Sequence, residues 1–312
     1  MKNFEGILRG RSVAVLMGGP GSEREVSLRS GAAVLGALRA VGAMAEGVDV
    51  RGPDFSLPSG CELAFNMVHG TFGEDGGIQS VLEAKAIPYT GEGVEGSRTA
   101  FDKISTKKCF DAVGIPTAAW HVIRRGESPA TQPPFVVKAP RQGSSVGVHI
   151  VKDPGEVAAA VADCLHYDED VLVEDFTPGR ELTVGVLGDR ALPVIEIVPK
   201  QGFYDYTNKY TKGASDYFCP ADIGGAATAH VRETALAAHH ALGLEVYSRV
   251  DILLGPDGSL NVMEINTIPG MTETSLLPKA AAAEGINFPA LCECIAGISM
   301  ARFAPLRKGG QL

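Results

Sequence analysis

One stretch of sequence near the carboxyl end decides how the chain is interpreted: RVDILLGPDGSLNVMEIN, residues 249–266. Polar and apolar residues alternate on both sides of a Gly-Pro-Asp-Gly turn, so the pattern predicts a β-hairpin. Side chains two apart on a strand share a face. Arg249 therefore shares a face with Asp251, and Glu264 shares one with Asn266. If the two faces coincide, three oxygen ligands and one guanidinium converge.

Oxygen ligands without histidine or cysteine suit magnesium, which usually keeps water and phosphate oxygens as its other ligands. The hairpin therefore predicts a magnesium site on Asp251, Glu264 and Asn266. A solvated outer face of an acidic hairpin explains the spacing equally well. The rigid turn that follows at 267–271, Thr-Ile-Pro-Gly-Met, favours the metal.

The composition predicts a soluble globular protein of two or three domains, with 312 residues, 45% of them hydrophobic and 21% charged. No apolar run reaches the roughly 18 residues of a membrane span. Residues 1–11 lack the apolar core of a signal peptide, so we expect a cytoplasmic protein. The net charge of −9 argues against a nucleic-acid partner. Four of the six cysteines are scattered singly and Cys292 and Cys294 form a Cys-x-Cys, and we expect all six to be reduced thiols.

Residues 1–92 have the pattern of an open α/β domain. An apolar run at Val13–Met17 precedes a glycine-rich turn and a helical pattern that opens near Ser27. Apolar runs at Val48–Val50 and Leu63–Val68 then alternate with a second helical pattern near Ile78–Lys85. We predict a mainly parallel sheet for this part of the chain.

Residues 93–175 and 176–312 are predicted to form two further units. The first begins with a helix from Ser97 to about Val113 and continues as a small α+β module. The second contains the hairpin and ends in two helices. The second unit also contains the segment 200–220, which is polar, tyrosine-rich and has little periodicity. A loop of that length is usually functional, and we predict a mobile lid.

A glycine-serine loop joins two predicted strands at Lys138–Gly147, KAPRQGSSVG. Glycine and serine at such a turn let backbone N–H groups close on phosphate oxygens. The loop is not a P-loop, because no Gly-Lys-Ser/Thr follows and no helix begins there. Lys138 ends an apolar strand, where a lysine is costly unless an anion meets it.

These motifs together resemble the ATP-grasp ligases and, within them, the D-alanine–D-alanine ligase family. The resemblance covers about residues 11–302. It rests on GG-ERE-VS, HG with GEDG, K with GSSVG, YDY with KY, RVD, and EINT with PGMT. These motifs lie at residues 18–27, 69–76, 138–147, 204–210, 249–251 and 264–272.

The resemblance implies a three-domain ATP-grasp architecture of α/β (α+β) class, with an N-terminal open parallel α/β domain. It implies that ATP phosphorylates the carboxylate of one D-alanine and that the amine of a second D-alanine displaces the phosphate. This dipeptide is a peptidoglycan precursor, which links the family to cell-wall biogenesis and cell shape. The implied cofactors are ATP and two Mg²⁺ ions, which Mn²⁺ can replace, and the implied assembly is a homodimer.

The resemblance also assigns roles to individual residues. Glu23 resembles the carboxylate that holds the first substrate's ammonium, and Ser144 resembles the hydroxyl that joins Glu23 to Tyr210 to close the site. Arg249 and the backbone of Gly270 resemble the groups that stabilise the oxyanion. Three further residues look like substrate contacts. His69 resembles a residue near the carboxylate of the first substrate, and Ser275 and Leu276, at the start of a helix, resemble the groups that bind the carboxylate of the second substrate.

Six residues resemble the family's nucleotide contacts. The phosphate contacts are Lys103, Lys138, Ser145 and Lys209. On the base and ribose, the corresponding residues are Glu174 and Glu181. Three of these residues could instead have no functional role: Lys103 could be a solvated helix residue, and Glu174 and Glu181 could be ordinary strand-end acids.

Two other functions stay open. The same fold could join D-alanine to D-lactate or D-serine. The resemblance favours an amine over D-lactate as the second substrate, because family members with a tyrosine at the position of Tyr210 use an amine. The chain could also be a catalytically silent nucleotide-binding partner protein, which would be free to lose the residues that are intact here. One departure from the family pattern is Ala139, since proline usually follows the lysine directly and here stands at Pro140.

Overall fold

The computed structural model describes residues 4–200 and 213–309. They form three β-sheets with helices packed on them, which confirms the expected α/β (α+β) class. No helix in these ranges combines the length and the apolar character that a membrane crossing needs. All six cysteines are free.

The amino-terminal sheet is parallel and covered on both faces. Its strands are β1 (Ser12–Gly18), β2 (Met44–Val50) and β3 (Leu63–Asn66), in the order β2-β1-β3. Alternate β1 residues enter different cores: Val13 packs in one cluster and Ala14 in another. A strand buried on both faces reads as a continuous apolar run, as β1 does. The helices α1 (Arg24–Ala40) and α2 (Gly77–Ala84) cover the sheet.

The single helix expected up to Val113 is two helices, α3 (Val94–Phe101) and α4 (Lys103–Val113). Asp102 caps the second: its carboxylate accepts hydrogen bonds from the N–H groups of Ile104 and Ser105. A side chain that satisfies the first free N–H groups starts a new helix even inside a helical pattern. The prediction of one continuous helix was therefore wrong, although Gly114 ends α4 in the left-handed conformation as expected.

A small antiparallel sheet follows. Its strands are β4 (Trp120–Arg124), β5 (Phe135–Lys138), β6 (Val148–Val151) and β7 (Asp170–Asp175), in the order β4-β7-β5-β6. The helix α5 (Val157–Tyr167) packs with Phe135 and Val137 in one apolar cluster. Because side chains alternate along β5, Val136 and Lys138 lie on the opposite face.

A larger antiparallel sheet carries the hairpin. Its strands are β8 (Arg180–Leu187), β9 (Arg190–Ala191), β10 (Ile195–Pro199), β11 (Ser215–Phe218), β12 (Tyr247–Leu254) and β13 (Leu260–Asn266). The order is β11-β10-β8-β12-β13, with β9 paired to β8. The helix α6 (Gly225–Ala241) covers one face of this sheet. Ser215–Phe218, near the end of the segment predicted to be a lid, is a strand of this sheet. Residues 201–212 of that segment lie outside the described residues.

A bulge in β13 sets the register of the hairpin. Ile252 lies opposite Val262, but the next pair along is Asp251 opposite Glu264, so Met263 is an extra residue. A bulge of this kind puts two residues against one. Beyond it, Arg249 lies opposite Asn266.

The last two helices, α7 (Leu276–Ala283) and α8 (Phe288–Gly309), return to the amino-terminal sheet. One apolar cluster contains Val13 and Leu38 together with Leu291 and Ile295. By contrast, Ala100 and Phe110 of the α3–α4 pair pack in the cluster of the large sheet. The domain limits at residues 92 and 175 stay a prediction.

Candidate active site

Two neighbouring cavities, each of about 610 Å³, meet at Lys103 and Glu264, which line both. The first lies between the small and the large sheet. The second lies between the amino-terminal sheet, the glycine-serine loop and the start of α7. A salt bridge joins the shared pair, with Lys103 Nζ 3.6 Å from Glu264 Oε2.

The first cavity has apolar walls and a charged end. Val136 and Ile150 of the small sheet face Ile197, Leu253 and Met263 of the large one. Apolar walls with a few polar groups are typical of a small-molecule or cofactor site. The charged and polar residues that line the cavity include those predicted for the nucleotide: Lys103, Lys138, Ser145, Glu174 and Glu181.

Glu174 lies between two lysines. Its Oε1 forms an ion pair with Lys107, and its Oε2 forms one with Lys138. Burial would raise the pKa of Glu174, but the two ammonium groups outweigh it and hold that pKa below its usual value. Burial lowers the pKa of Lys107, against the opposing effect of the Glu174 carboxylate. The predicted adenine-side carboxylate is therefore ionised and fixed in place.

The loop between β5 and β6 closes over the junction of the cavities. Its ends are tied by the N–H of Ala139, which donates to the carbonyl of Gly147 at 2.8 Å. Ser144 and Ser145 both have positive φ, +50° and +61°. Lys103 Nζ donates to the carbonyl of Gln142 at 2.7 Å. Non-glycine residues in the left-handed region are uncommon and are often found at ligand sites.

The hairpin brings the predicted metal ligands to one face. Since Asp251 lies opposite Glu264 and Arg249 opposite Asn266, the two pairs share a side of the sheet. Arg249 forms a two-point ion pair with Asp251. The hydroxyl of Thr183 donates to Asp251 Oδ1 at 2.6 Å.

The donor set suits a hard cation. Asp251 and Glu264 supply carboxylate oxygens, and Oδ1 of Asn266 already accepts the N–H of Ile268 at 2.9 Å, which leaves its second lone pair. Within residues 4–200 and 213–309, no three His, Cys, Asp or Glu side chains gather as a metal cluster. A metal here would depend on the amide of Asn266 and on ligands from outside the protein, as magnesium does.

Glu23 projects into the second cavity. The hydroxyl of Ser144 donates a short hydrogen bond to its Oε1. A Cβ added to Gly70 would lie 2.6 Å from Glu23 Oε2, and one added to Gly143 would lie 2.4 Å from it. The carboxylate thus fits between two glycines because neither has a side chain. The predicted contact between Glu23 and Ser144 is present.

His69 is buried, and both of its ring nitrogens have protein partners. Nδ1 lies 2.8 Å from the carbonyl of Ile268 and Nε2 lies 3.1 Å from Ser30 Oγ. Glu74 also lies beside the ring, 3.6 Å from Nδ1, and burial raises the pKa of that carboxyl. The ring thus links the loop after β3, which contains His69, to the turn after β13, which contains Ile268. In this geometry His69 holds these two parts of the cavity wall together.

The second cavity ends at the start of α7. Ser275 is the N-cap residue, and its Oγ accepts the N–H of Thr272 at 3.0 Å. Leu276 and Gly270 also line the cavity. A Cβ on Gly270 would lie 3.0 Å from Ser275 Oγ. Free N–H groups at a helix start attract carboxylates.

Two predicted residues, Lys209 and Tyr210, lie outside the described residues. Three residues of the site were not predicted: Lys107, Thr183 and Ser30. Lys107 follows Lys103 by four residues, so helical spacing places both on one face of α4. Thr183 is next but one to Glu181 on β8 and could have been found by strand alternation. Nothing in the sequence singles out Ser30.

The two sheets that enclose the first cavity are those of an ATP-grasp fold, and solved structures agree. The D-alanine–D-alanine ligase of Bacillus anthracis complexed with ATP superposes with a TM-score of 0.84 at 30% identity, covering 96% of this chain and 100% of that one. The VanG D-Ala:D-Ser ligase of Enterococcus faecalis has a TM-score of 0.82 at 27% identity, with 93% and 100% covered.

The family model for the D-ala D-ala ligase C-terminus matches residues 109–296. The D-alanine–D-alanine ligase of Methylacidiphilum infernorum is 50% identical over 293 residues, 94% of this chain and 97% of that one. That of Geobacter sulfurreducens is 46% identical, with 92% and 94% covered. The chain belongs to the D-alanine–D-alanine ligase family.

Proposed function

We propose that the protein is an ATP-dependent, ADP-forming ligase that joins two D-alanine molecules to D-alanyl-D-alanine for peptidoglycan synthesis. The observation that carries the proposal is the meeting of the two cavities at Lys103 and Glu264. A nucleotide in the first cavity directs its phosphates to this junction. An amino acid held by Glu23 in the second cavity has its carboxylate within reach of the same point.

The nucleotide half of the site uses apolar walls for adenine and cations for the phosphates. Glu174 faces the base and Glu181 the ribose. Lys103, Lys138 and Ser145 hold the phosphates at the junction, together with Lys209. Phosphoryl transfer of this kind depends mainly on position and on neutralising charge.

The substrate half orders the two amino acids. Glu23 binds the ammonium of the first, and Ser144 fixes Glu23 in a link that extends to Tyr210. An oxygen of the first carboxylate takes the γ-phosphate. His69 fixes the cavity wall beside that first carboxylate, and the second amino acid binds by its own carboxylate to Ser275 and Leu276. Its amine attacks the acyl carbon, phosphate leaves, and the amine loses a proton.

The oxyanion formed in that attack would meet Arg249 and the N–H of Gly270. We propose that Asp251, Glu264 and Asn266 hold Mg²⁺, as two ions, with Mn²⁺ as a substitute. The bound ions would neutralise phosphate charge. We further propose that the chain has three structural units, at 1–92, 93–175 and 176–312, with a mobile lid within 200–220. We also propose that the protein is a cytoplasmic homodimer without nucleic-acid or membrane partners.

The decisive experiment measures phosphate release by the purified protein with ATP, Mg²⁺ and D-alanine. L-alanine, D-lactate and D-serine serve as comparators, and the product is identified by amino-acid analysis. We expect release only with D-alanine or better with D-alanine than with any comparator at neutral pH. An absence of D-alanine-dependent release would contradict the proposal and would favour the catalytically silent nucleotide-binding protein.

A D-alanine–D-serine or D-alanine–D-lactate ligase is the alternative within the same fold. The structural similarity to VanG carries this alternative. The relatives with 44–50% identity are D-alanine–D-alanine ligases, which supports the dipeptide. A product that contains serine or lactate, formed faster than the alanine dipeptide, would decide for the alternative.

A further inference from the structure

A buried lysine that lines neither cavity lies behind the nucleotide cavity. Lys107 is 1% exposed, and its Nζ donates to Thr117 Oγ1 at 2.5 Å. The same ammonium pairs with Glu174 Oε1, while Lys138 pairs with Oε2. Lys138 and Glu174 line the cavity, whereas Lys107 does not.

The three side chains carry two positive charges and one negative charge. The surplus positive charge reaches the cavity through Lys138, whose side chain is 12% exposed, against 2% for Lys107. Without Lys107, the remaining pair would be neutral. Lys138 would then be the single counter-charge of a buried carboxylate, and removing it would leave that carboxylate uncompensated, which is costly.

Lys107 is fixed in place by its hydrogen-bond partner and cannot move toward a phosphate in the cavity. The hydroxyl of Thr117, which accepts from Lys107, itself donates to the carbonyl of Val262 at 2.8 Å. Two further bonds hold the same segment to β13: Val262 N–H to the carbonyl of Pro116, and Ala118 N–H to Asn261 Oδ1, both at 2.8 Å. The lysine is thus anchored to the strand that carries Glu264.

We propose that Lys107 is a positioning residue for nucleotide binding: it keeps the Glu174 charge compensated, so that Lys138 can turn from Glu174 to a nucleotide phosphate. The inference rests on the proposed function, because it assumes a nucleotide in the first cavity. It adds a residue that touches neither the nucleotide nor the amino acids.

The test separates the phosphate contribution from the rest of the nucleotide. We define it as the Kd of adenosine divided by the Kd of ADP, measured by calorimetry at one Mg²⁺ concentration. In Lys107→Met we expect ADP binding to weaken roughly tenfold or more, the usual effect of losing one charge-assisted contact. Adenosine binding should stay unchanged, so the ratio falls. Lys108→Met, an exposed neighbour on α4, is the matched control.

The double variant Lys107→Met/Glu174→Gln gives a rescue. Without the carboxylate, Lys138 is free again, and the ratio should return to the wild-type value or above. An equal loss of both ligands in Lys107→Met would overturn the inference, since that is what a purely structural lysine predicts. A low ratio that the double variant does not restore would overturn it as well.

Glu174→Gln alone decides the matter if Lys107→Met does not fold. Its ratio should equal or exceed that of the wild type, and a lower ratio overturns the inference. The proposed function fails separately, if the wild type binds ADP but shows no D-alanine-dependent phosphate release. No ADP binding by the wild type would overturn the inference directly.

Discussion

Arg249 and Asp251 form a two-point ion pair on one face of β12, with Nε 2.9 Å from Oδ1 and Nη2 2.8 Å from Oδ2. Asp251 is 4% exposed, so the pair is largely withdrawn from solvent. Both acids on the strands of the hairpin thus have a cation beside them, Arg249 for Asp251 and Lys103 for Glu264. A metal on these acids would share them with the two cations.

The first prediction concerns the metal. Asp251→Asn removes a carboxylate charge from the proposed cage, and we expect the Mg²⁺ concentration for half-maximal activity to rise about tenfold or more. A magnesium titration of D-alanine-dependent phosphate release measures it. Asp257→Asn, in the exposed turn of the same hairpin, is the control. An unchanged titration in Asp251→Asn would remove Asp251 from the cage.

The second prediction concerns the support of Asp251. Thr183→Val keeps the side-chain shape but removes the hydroxyl that donates to Asp251 Oδ1. Groups that orient metal ligands usually affect metal affinity about 10- to 100-fold, and we expect an effect at the lower end because Arg249 still orients the carboxylate. The same titration measures it, with Thr228→Val on α6 as the control. Equal titrations for the two variants would contradict this role.

The third prediction uses the space around Glu23. In Gly143→Ala the new Cβ would lie 2.4 Å from Glu23 Oε2, so the carboxylate must move. We expect the KM for the first D-alanine to rise about tenfold, the usual effect of one lost charge-assisted contact. Gly36→Ala, with no atom within 4 Å of its Cβ, is the control. A KM equal to that of the control would exclude Glu23 as the ammonium site.

The fourth prediction is a pH effect on stability. His239 is fully buried, with Nδ1 2.8 Å from Ser248 Oγ. Burial, with a smaller effect of His240, lowers its pKa from 6.5 to about 3. The unfolded chain therefore binds a proton below about pH 6.5 that the folded chain does not, so stability is lost as pH falls. The loss between about pH 7.5 and about pH 5.5 is about 1.4 kcal/mol.

Denaturant unfolding of His239→Gln at the two pH values checks this. The variant should lose about 1.4 kcal/mol less than the wild type over that interval, whatever its stability at the higher pH. His230→Gln, exposed on the same helix, should behave as the wild type does. Identical pH dependence in His239→Gln and the wild type would show that the imidazole titrates normally.

Sequence periodicity predicted most of the strands and helices but left open whether the hairpin faces coincide. Near the turn, Leu253 pairs with Asn261 and Ile252 with Val262. Continued without a bulge, this register would set Asp251 against Met263 and turn Glu264 to the other face. The extra residue at Met263 places Glu264 opposite Asp251, on the same face of the sheet. A bulge has no reliable sequence signal, so alternation alone could not settle the site.

Other differences have local causes. The break before α4 depends on the cap by Asp102, which competes with a helical pattern that runs through it. The strand Ser215–Phe218 is short and at a sheet edge, paired with β10, and its sequence SDYF has little β signal. Lys107 resembles a solvated helix lysine, because only the fold shows that Glu174 and Thr117 meet it.

The return of α8 to the first sheet has a consequence for the order of folding. Leu291 and Ile295 share a core with Val13 and Leu38, so the core around β1 stays incomplete until α8, about 270 residues later, has been synthesised. Domains generally fold as units during synthesis, amino-terminal first. Here the small and large sheets can form while the amino-terminal sheet still lacks one wall, and the synthesis of α8 completes it.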